Sequence, residues 1–404
     1  MKILVINTGS SSIKYKLFDM DSEKALASGV VEKIGEATST LTHNTIGKGG
    51  NDLRKVKRCK ILDHQDGFNQ IVKVLVDRKY GVLRDKSEIC AVGHRVVHGG
   101  ETFQAPTIID EKVIEAISVH ISLAPLHNPP NLIGIEVARS MFPNSPQVAV
   151  FDTAFHQTLP QKAFLYALPY ELYKKNGVRR YGFHGTSHSY VAQKAAQFFQ
   201  QPLEKLSLIT VHLGNGASMA AIKNGTCIDT TMGLTPLEGL VMGTRCGDVD
   251  PSLTFFLANH LQMSLQEIDK LMNKESGLKG ICGSNDMREV LEKAHAGEVL
   301  AQVALDVYCY RIKKYIGAFF AVLESLDGLV FTAGIGENVP YIRMICCQGL
   351  SRLGISIDPQ KNNAATKEIR EISSSRSKVT ILVVPTNEEL KIAHETKKLI
   401  ECSR

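Results

Sequence analysis

Two arginines stand among glycines: Arg95 in Gly93-His94-Arg95-Val96-Val97-His98-Gly99-Gly100, and Arg245 in Gly243-Thr244-Arg245-Cys246-Gly247-Asp248. A guanidinium is a planar fork of N–H donors that fits a carboxylate or a phosphoryl group, and glycine neighbours let an anion come close. On a strand, Arg95 and Val97 project from one face while His94, Val96 and His98 project from the other. A cation beside a β-branched hydrocarbon suits a short carboxylic acid, charged at one end and apolar at the other. Leu126-His127 and Phe183-His184 repeat the pairing of an apolar residue with a donor. Asp152 closes a buried-type strand, Gln147-Val148-Ala149-Val150-Phe151, and polar residues at strand C-termini are where open α/β sheets bind ligands.

A second pattern occurs twice, about half a chain apart. Ile3 to Phe18 and Leu208 to Ile222 each read as a strand, a turn of small residues (Thr8-Gly9-Ser10-Ser11-Ser12, then Gly214-Asn215-Gly216) and a returning strand. Successive N–H groups in such a turn form a concave nest for phosphate oxygens. Two of them predict two similar lobes with a nucleotide held in the cleft between. Gly328 to Asn338 reads as a strand entering a third glycine-rich turn. The strand Val379 to Val384 leads through Pro385-Thr386-Asn387-Glu388-Glu389 into a terminal helix, where Thr386 and Glu389 have capping-box spacing and Glu388 is left freer. Asp286-Met287-Arg288-Glu289 fits a helix N-terminus capped by Asp286. Residues 36 to 60, polar and glycine-dotted, read as a variable excursion.

Several classes are disfavoured. Gly214-Asn215-Gly216 lacks the third glycine of a dinucleotide site, and no GxxxxGK[ST] occurs. His94 and His98 on one strand lie roughly 13 Å apart at about 3.3 Å per residue and cannot chelate one ion; His184 and His188 lack the glutamate of HExxH. The 404 residues call for two domains, and no Pro/Ser/Gly linker separates them. The formal charge of +6 is mild, and its densest run, Arg54 to Lys60, has no interleaved aromatics and fits a solvated strand face rather than nucleic acid. Nine scattered cysteines without a CxxC predict a reduced, cytoplasmic protein, and no apolar run is long enough for a membrane span.

These blocks, with Leu123-Ala124-Pro125-Leu126-His127-Asn128-Pro129, Phe151-Asp152-Thr153-Ala154-Phe155-His156 and Arg180-Tyr181-Gly182-Phe183-His184-Gly185-Thr186-Ser187-His188, resemble the acetokinase family of the actin/hexokinase/Hsp70-like superfamily over essentially the full length. The resemblance implies an α/β, two-lobed duplicated actin-like (ribonuclease H-like) fold with an interlobe cleft. It implies residues 1–152 plus 386–404 as the N-terminal lobe, closed by the C-terminal helix, and 153–385 as the nucleotide-binding lobe. The implied reaction is reversible transfer of the ATP γ-phosphoryl to acetate, giving acetyl phosphate and ADP, with Mg2+ (Mn2+ as a substitute), in a homodimer that needs neither nucleic acid nor membrane. By matching position, Arg95 and Arg245 hold the carboxylate and the phosphoryl in flight, His184 stabilises the transition state, and Asp152 is catalytic with an acid/base label. Because a simple carboxylic acid is already ionised at neutral pH, the chemistry itself points instead to Asp152 positioning a metal-bound water or an arginine. Val97, Leu126, Phe183 and Pro236 form the alkyl pocket beside His127. Lys14, the run His212, Leu213, Gly214, Asn215 and Gly216, the trio Asp286, Met287 and Arg288, and the run Gly334, Ile335, Gly336, Glu337 and Asn338 face the nucleotide. Asn7 and Glu388 lie near the metal. Ser284-Asn285 stand where the family usually has two serines. Propionate or butyrate as acceptor, and an actin/Hsp70-like nucleotide switch, are the competing expectations.

Overall fold

The first hairpin is built as its residues require. Strand β1 (Lys2–Gly9) pairs antiparallel with β2 (Ser12–Asp19) around Ser10-Ser11, and β2 pairs antiparallel with β3 (Lys24–Glu32). The computed structural model describes residues 1–46, 52–125, 127–366 and 368–402. It divides into two compact units, Met1–Ala154 with Asn387–Arg404, and Phe155–Thr386.

In the first unit, β4 (Ser39–Ile46), β5 (Asp52–Cys59), β6 (Ile89–Val96), β7 (Thr107–Ile108) and β8 (Gln147–Phe151) complete an eight-stranded sheet of order β5-β4-β3-β2-β1-β6-β8-β7. Strands β1, β6 and β8 run parallel, and the terminal helix Glu388–Cys402 packs on them. The second unit holds β9 (Ser207–Leu213), β10 (Ala217–Lys223), β11 (Thr226–Thr230), β12 (Gly328–Thr332), β13 (Arg370–Glu371) and β14 (Thr380–Val383), ordered β11-β10-β9-β12-β14-β13. The series β3-β2-β1-β6-β8 and β11-β10-β9-β12-β14 share one plan: two antiparallel pairings, then two parallel ones. Strands β8, β9 and β12 are buried along their whole length, as parallel strands covered on both faces must be.

Three expectations are corrected. Residues 36 to 60, read as an excursion, supply the regular strands β4 and β5; residues 47–51 of that stretch lie outside the described residues. The inward positions of β4 are Ser39, Leu41, His43 and Thr45, all buried, so the alternation is real but mostly polar. The polar members are satisfied: Tyr15 Oη to His43 Nδ1 at 2.6 Å, His43 Nε2 to the Tyr80 carbonyl at 3.0 Å, and Thr45 donating to the Leu26 carbonyl at 3.0 Å. Next, the third glycine-rich turn is a short helix, Ala333–Asn338. Ala333, at φ +65°, bends the chain sharply out of β12, and the buried Arg343 donates to the Gly336 and Glu337 carbonyls at the helix C-terminus. Finally, the terminal helix is capped by Asn387, whose Oδ1 accepts from Leu390 N at 3.1 Å, and not by Thr386. The Thr386 N–H is spent on Glu337 Oε1, and Glu389 faces Lys16.

His94, buried on β6, donates from Nε2 to Gln147 Oε1 at 2.8 Å, and burial lowers its pKa to about 4. The unfolded chain, with an ordinary value near 6.5, takes up the proton first, so this stability is present above about pH 6.5 and is lost as pH falls toward 4. We expect wild type to lose roughly 2 kcal/mol more than His94→Gln between pH 7.5 and 5. Urea unfolding midpoints at the two pH values check this, and parallel losses would refute it.

Candidate active site

In the first unit, adjacent parallel strands deliver an ion pair. Arg95 sits one residue from the end of β6, opposite Val150, and Asp152 follows β8 directly, with its own N–H bonded to the Val96 carbonyl at 2.9 Å. The two side chains therefore meet at the strand C-termini. Arg95 Nε lies 3.2 and 3.0 Å from the Asp152 carboxylate oxygens and Nη2 lies 2.6 Å from Oδ2. Burial opposes the Arg95 charge, but Asp152 and then Glu388 more than offset it and raise its pKa above the ordinary value. The fork engages Nε and Nη2; Nη1 makes no hydrogen bond among the described residues.

Glu388, at the start of the terminal helix, is half-buried, and desolvation raises its pKa against the pull of Arg95. Among the described residues it has no ion-pair partner of its own. Lys14 also acts on it, and Lys14 is the cross-strand neighbour of Asn7, so Asn7, Lys14 and Glu388 belong to one end of this sheet. Val97 lies just past β6; its N–H donates to Asn131 Oδ1 at 3.1 Å, and Asn131 Nδ2 donates to the Thr8 carbonyl. The His127 carbonyl accepts from Asn131 N at the start of the helix Asn128–Met141. Leu126 lies outside the described residues.

In the second unit, His184 stands before the helix Gly185–Phe199 at φ +58°, a left-handed conformation uncommon for a residue with a Cβ. Its Nδ1 is 2.8 Å from Ser218 Oγ on β10, and its ring stacks on that of His212 with centroids 4.3 Å apart. His212 Nδ1 meets Ser187 Oγ at 2.8 Å, and Ser187 Oγ meets Thr386 Oγ1 at 3.0 Å. Phe183 is buried, its carbonyl 2.9 Å from His156 Nε2.

Arg245 comes to this histidine from a long connection after β11. That stretch is held by side chains rather than by regular structure: Asp248 Oδ1 accepts from Gly239 N, its Oδ2 accepts from Tyr315, and Arg180 donates to Glu238 and to the carbonyls of Thr230 and Thr231. Gly247, at φ +70°, could take no side chain, since a Cβ would lie 2.4 Å from the Leu240 carbonyl oxygen. So held, Arg245 donates to the Pro236 carbonyl at 3.2 Å and faces no carboxylate among the described residues. Burial lowers its pKa. A Cβ placed on Gly216 would be 3.4 Å from His184 Nε2 and 3.5 Å from Arg245 Nη1. The imidazole edge and the guanidinium thus converge over the glycine turn between β9 and β10, where only a hydrogen stands. A half-buried cation that faces no carboxylate among the described residues is one whose charge an anion would compensate.

The remaining candidates sort in two. Asn215, exposed in the turn, accepts from Asn285 Nδ2 at 3.2 Å and its carbonyl accepts from Gly243 N, so the turn, Asp286 and the Arg245 segment are neighbours. Asp286 caps Met287–His295 through Arg288 N and is also forked by the Arg288 side chain. Gly336 packs on β9 near Leu213, while Gly334 and Asn338 at the two ends of the same short helix are exposed. Sequence reading gave no role to Ser218, His188 or Ser187, because small polar residues inside strands and helices carry no local signal of what they orient.

A duplicated α/β plan here brings a histidine and an arginine together over a glycine hairpin, and comparison with known proteins says which family has it. The structure is similar to the crystal structure of Porphyromonas gingivalis acetate kinase (TM-score 0.93, 45% identity, covering 99% of each chain) and to that of a propionate kinase from Francisella tularensis (TM-score 0.92, 43% identity, 98% of this chain and 99% of that one). The acetate kinase of Oleidesulfovibrio alaskensis is 52% identical over 401 residues, 99% of this chain and all of its own. The acetokinase family profile matches residues 2–394, and the chain belongs to that family.

A methyl group on Gly216 would make ordinary contacts with its neighbours but would occupy the cradle. Gly216→Ala should keep its melting temperature within about 3 °C while binding ATP about tenfold more weakly, a loss of about 1.4 kcal/mol. Calorimetric titration with ATP beside a thermal melt checks both halves; unchanged affinity would remove Gly216 from the site.

Proposed function

We propose that this chain catalyses the reversible reaction of ATP and acetate to acetyl phosphate and ADP. The observation that carries this reading is the convergence of Arg245, lacking a counter-ion, and His184 over Gly216. An acetate oxygen forms a bond to the γ-phosphorus as the bond to the β–γ bridging oxygen breaks, and its electron pair leaves with ADP. Acetate, like a glutamate side chain with pKa about 4.3, is already an anion at neutral pH, so no base is required. The rate must come from alignment and from cations around the equatorial oxygens of a loose transition state. Arg245 and His184 are the groups assigned to those oxygens, and Arg95, with Val97, His127, Phe183 and Pro236, to the acid. Asp152 then has a positioning part, since its carboxylate is committed to the fork on Arg95. Lys14, His212 to Gly216, Asp286 to Arg288 and Gly334 to Asn338 are assigned to the nucleotide.

Magnesium is part of the same reading. Mg2+ keeps much of its hydration shell, so the ion would be held chiefly by phosphate and water. The Glu388 carboxyl, unpaired and held above its ordinary pKa, is the oxygen donor that a nearby cation would relieve, with Asn7 on the same end of the sheet. Bound there, the ion would neutralise developing phosphate charge.

A homodimer is also proposed. The helix Val299–Leu323 exposes Val299, Leu300, Val303, Val307 and Tyr310 along one face, and the helix Ser252–His260 exposes Phe255 and Phe256. Apolar stripes of this kind on one unit suit a second copy of the chain. The cytoplasm is the setting assigned from nine scattered cysteines without a CxxC; among the described residues no helix is long and apolar enough to cross a membrane.

Incubated with ATP, Mg2+ and acetate, the protein should yield acetyl hydroxamate when hydroxylamine is added; none from folded protein would defeat the proposal. Arg245→Ala should lower kcat by about 10³ to 10⁵. Propionate should be used less well by about 10- to 200-fold in kcat/KM, the worth of one methylene; a reversed ratio would make propionate the substrate. Val303→Asp should turn the dimer into monomers in analytical ultracentrifugation, and a wild type already monomeric would refute the dimer.

A further inference from the structure

His184 is backed by a chain of side chains that ends in the sheet. Its Nδ1 meets Ser218 Oγ at 2.8 Å; the same oxygen is 2.8 Å from His188 Nε2; and His188 Nδ1 is 2.7 Å from Thr210 Oγ1. Ser218, His188 and Thr210 are all fully buried. They come from three elements, β10, the helix Gly185–Phe199 and β9, so the fold itself aligns them. Burial, with His156 and His212 close by, holds the His188 pKa well below its ordinary value, so this ring is neutral and carries one proton.

A neutral imidazole donates from one nitrogen and accepts at the other, and each hydroxyl has one proton to give. The chain therefore has two proton orders. In one, Thr210 donates to His188 Nδ1, His188 Nε2–H donates to Ser218 Oγ, and Ser218 donates to His184 Nδ1. His184 then carries its proton on Nε2, the atom that faces the space over Gly216. In the reverse order a neutral His184 would turn a lone pair toward that space. An anion there repels a lone pair and accepts from an N–H, which favours the first order; passing to the reverse order takes a rotation of both hydroxyls and a change of tautomer in both imidazoles.

Resting on the phosphoryl-transfer reading above, we propose that Ser218, His188 and Thr210 are positioning residues. They fix the His184 ring and hold its proton on Nε2, aimed at the transferring phosphoryl group. They touch neither substrate, so they act on the transition state through His184 alone.

Ser218→Ala, which leaves His184 Nδ1 without its donor, should lower kcat by about 10- to 100-fold, the scale of lost outer-shell partners, with both KM values changed less than about threefold. Thr210→Val keeps shape but loses the hydroxyl and should lower kcat in the same sense, while Thr210→Ser should restore it. The direct readout needs no turnover. In protein labelled with 15N-histidine and bound to AMPPNP and Mg2+, with His184 assigned by its loss in His184→Gln, wild type and Thr210→Ser should show the proton on Nε2. Thr210→Val should show a mixture of tautomers. If wild type makes acetyl phosphate but Thr210→Val matches it in both kcat and 15N shifts, the proposal fails. If wild type makes none, the functional reading fails while the shifts still report on the chain. A kcat loss that Thr210→Ser does not restore would mark Thr210 as structural and likewise overturn it.

Discussion

A cation drawn partly out of water, with no anion of its own, is the constraint around which the second unit is organised. Arg245 loses hydration and, among the described residues, gains the Pro236 carbonyl and a methionine sulfur in return. Left to itself the chain would not hold a guanidinium in such a place, because a charge taken from water needs compensation. It stays because the segment carrying it is over-determined elsewhere, by the Asp248 contacts, by Arg180 on Glu238, and by glycines at positions where a side chain cannot fit. The stability of those contacts offsets the cost of an uncompensated cation, which an anionic ligand would relieve.

The first unit solves the opposite problem. Arg95 is more deeply placed, and its charge is matched at once by Asp152 across neighbouring parallel strands. The pair is fixed by geometry that any α/β sheet supplies at its strand C-termini. Its value for chemistry is orientation: a fork that occupies Nε and Nη2 leaves the outer edge of the guanidinium with a set direction. Beside it, Glu388 is a carboxyl kept above its ordinary pKa by burial, held in the neighbourhood of Arg95 and Lys14. One unit thus presents a neutralised, directional cation near an acidic group, and the other an unneutralised cation near a histidine.

The histidines show how far the hydrogen-bonded arrangement extends behind the residues proposed to face ligands. His184 stacks on His212, and each is held through its Nδ1 by a serine, Ser218 or Ser187, from a different element. Such contacts fix ring planes and proton positions without adding charge. This is the arrangement that phosphoryl transfer asks for, where alignment does most of the work.

Much of this was legible from residue types. The two glycine hairpins, the arginines among glycines, Asp152 at a strand end and Asp286 as a helix cap could all be read because each leaves a local signature: a turn residue, a strand period or a cap. The sequence by itself determined the duplicated plan, since buried parallel strands need continuous apolar runs and hairpins need small turns. What only the tertiary structure decided lay where the partners are distant in the chain. Strand β4 hid because its buried side chains are polar and their partners, Tyr15 and the Tyr80 carbonyl, come from elsewhere. The helix Ala333–Asn338 looked like a turn because its capping donor, Arg343, follows it. Thr386 gave its N–H to Glu337 instead of to a cap. Ser218 and Thr210 gave no sign at all. A hydroxyl's role depends on which histidine the fold brings within 2.8 Å of it, and no local pattern encodes that.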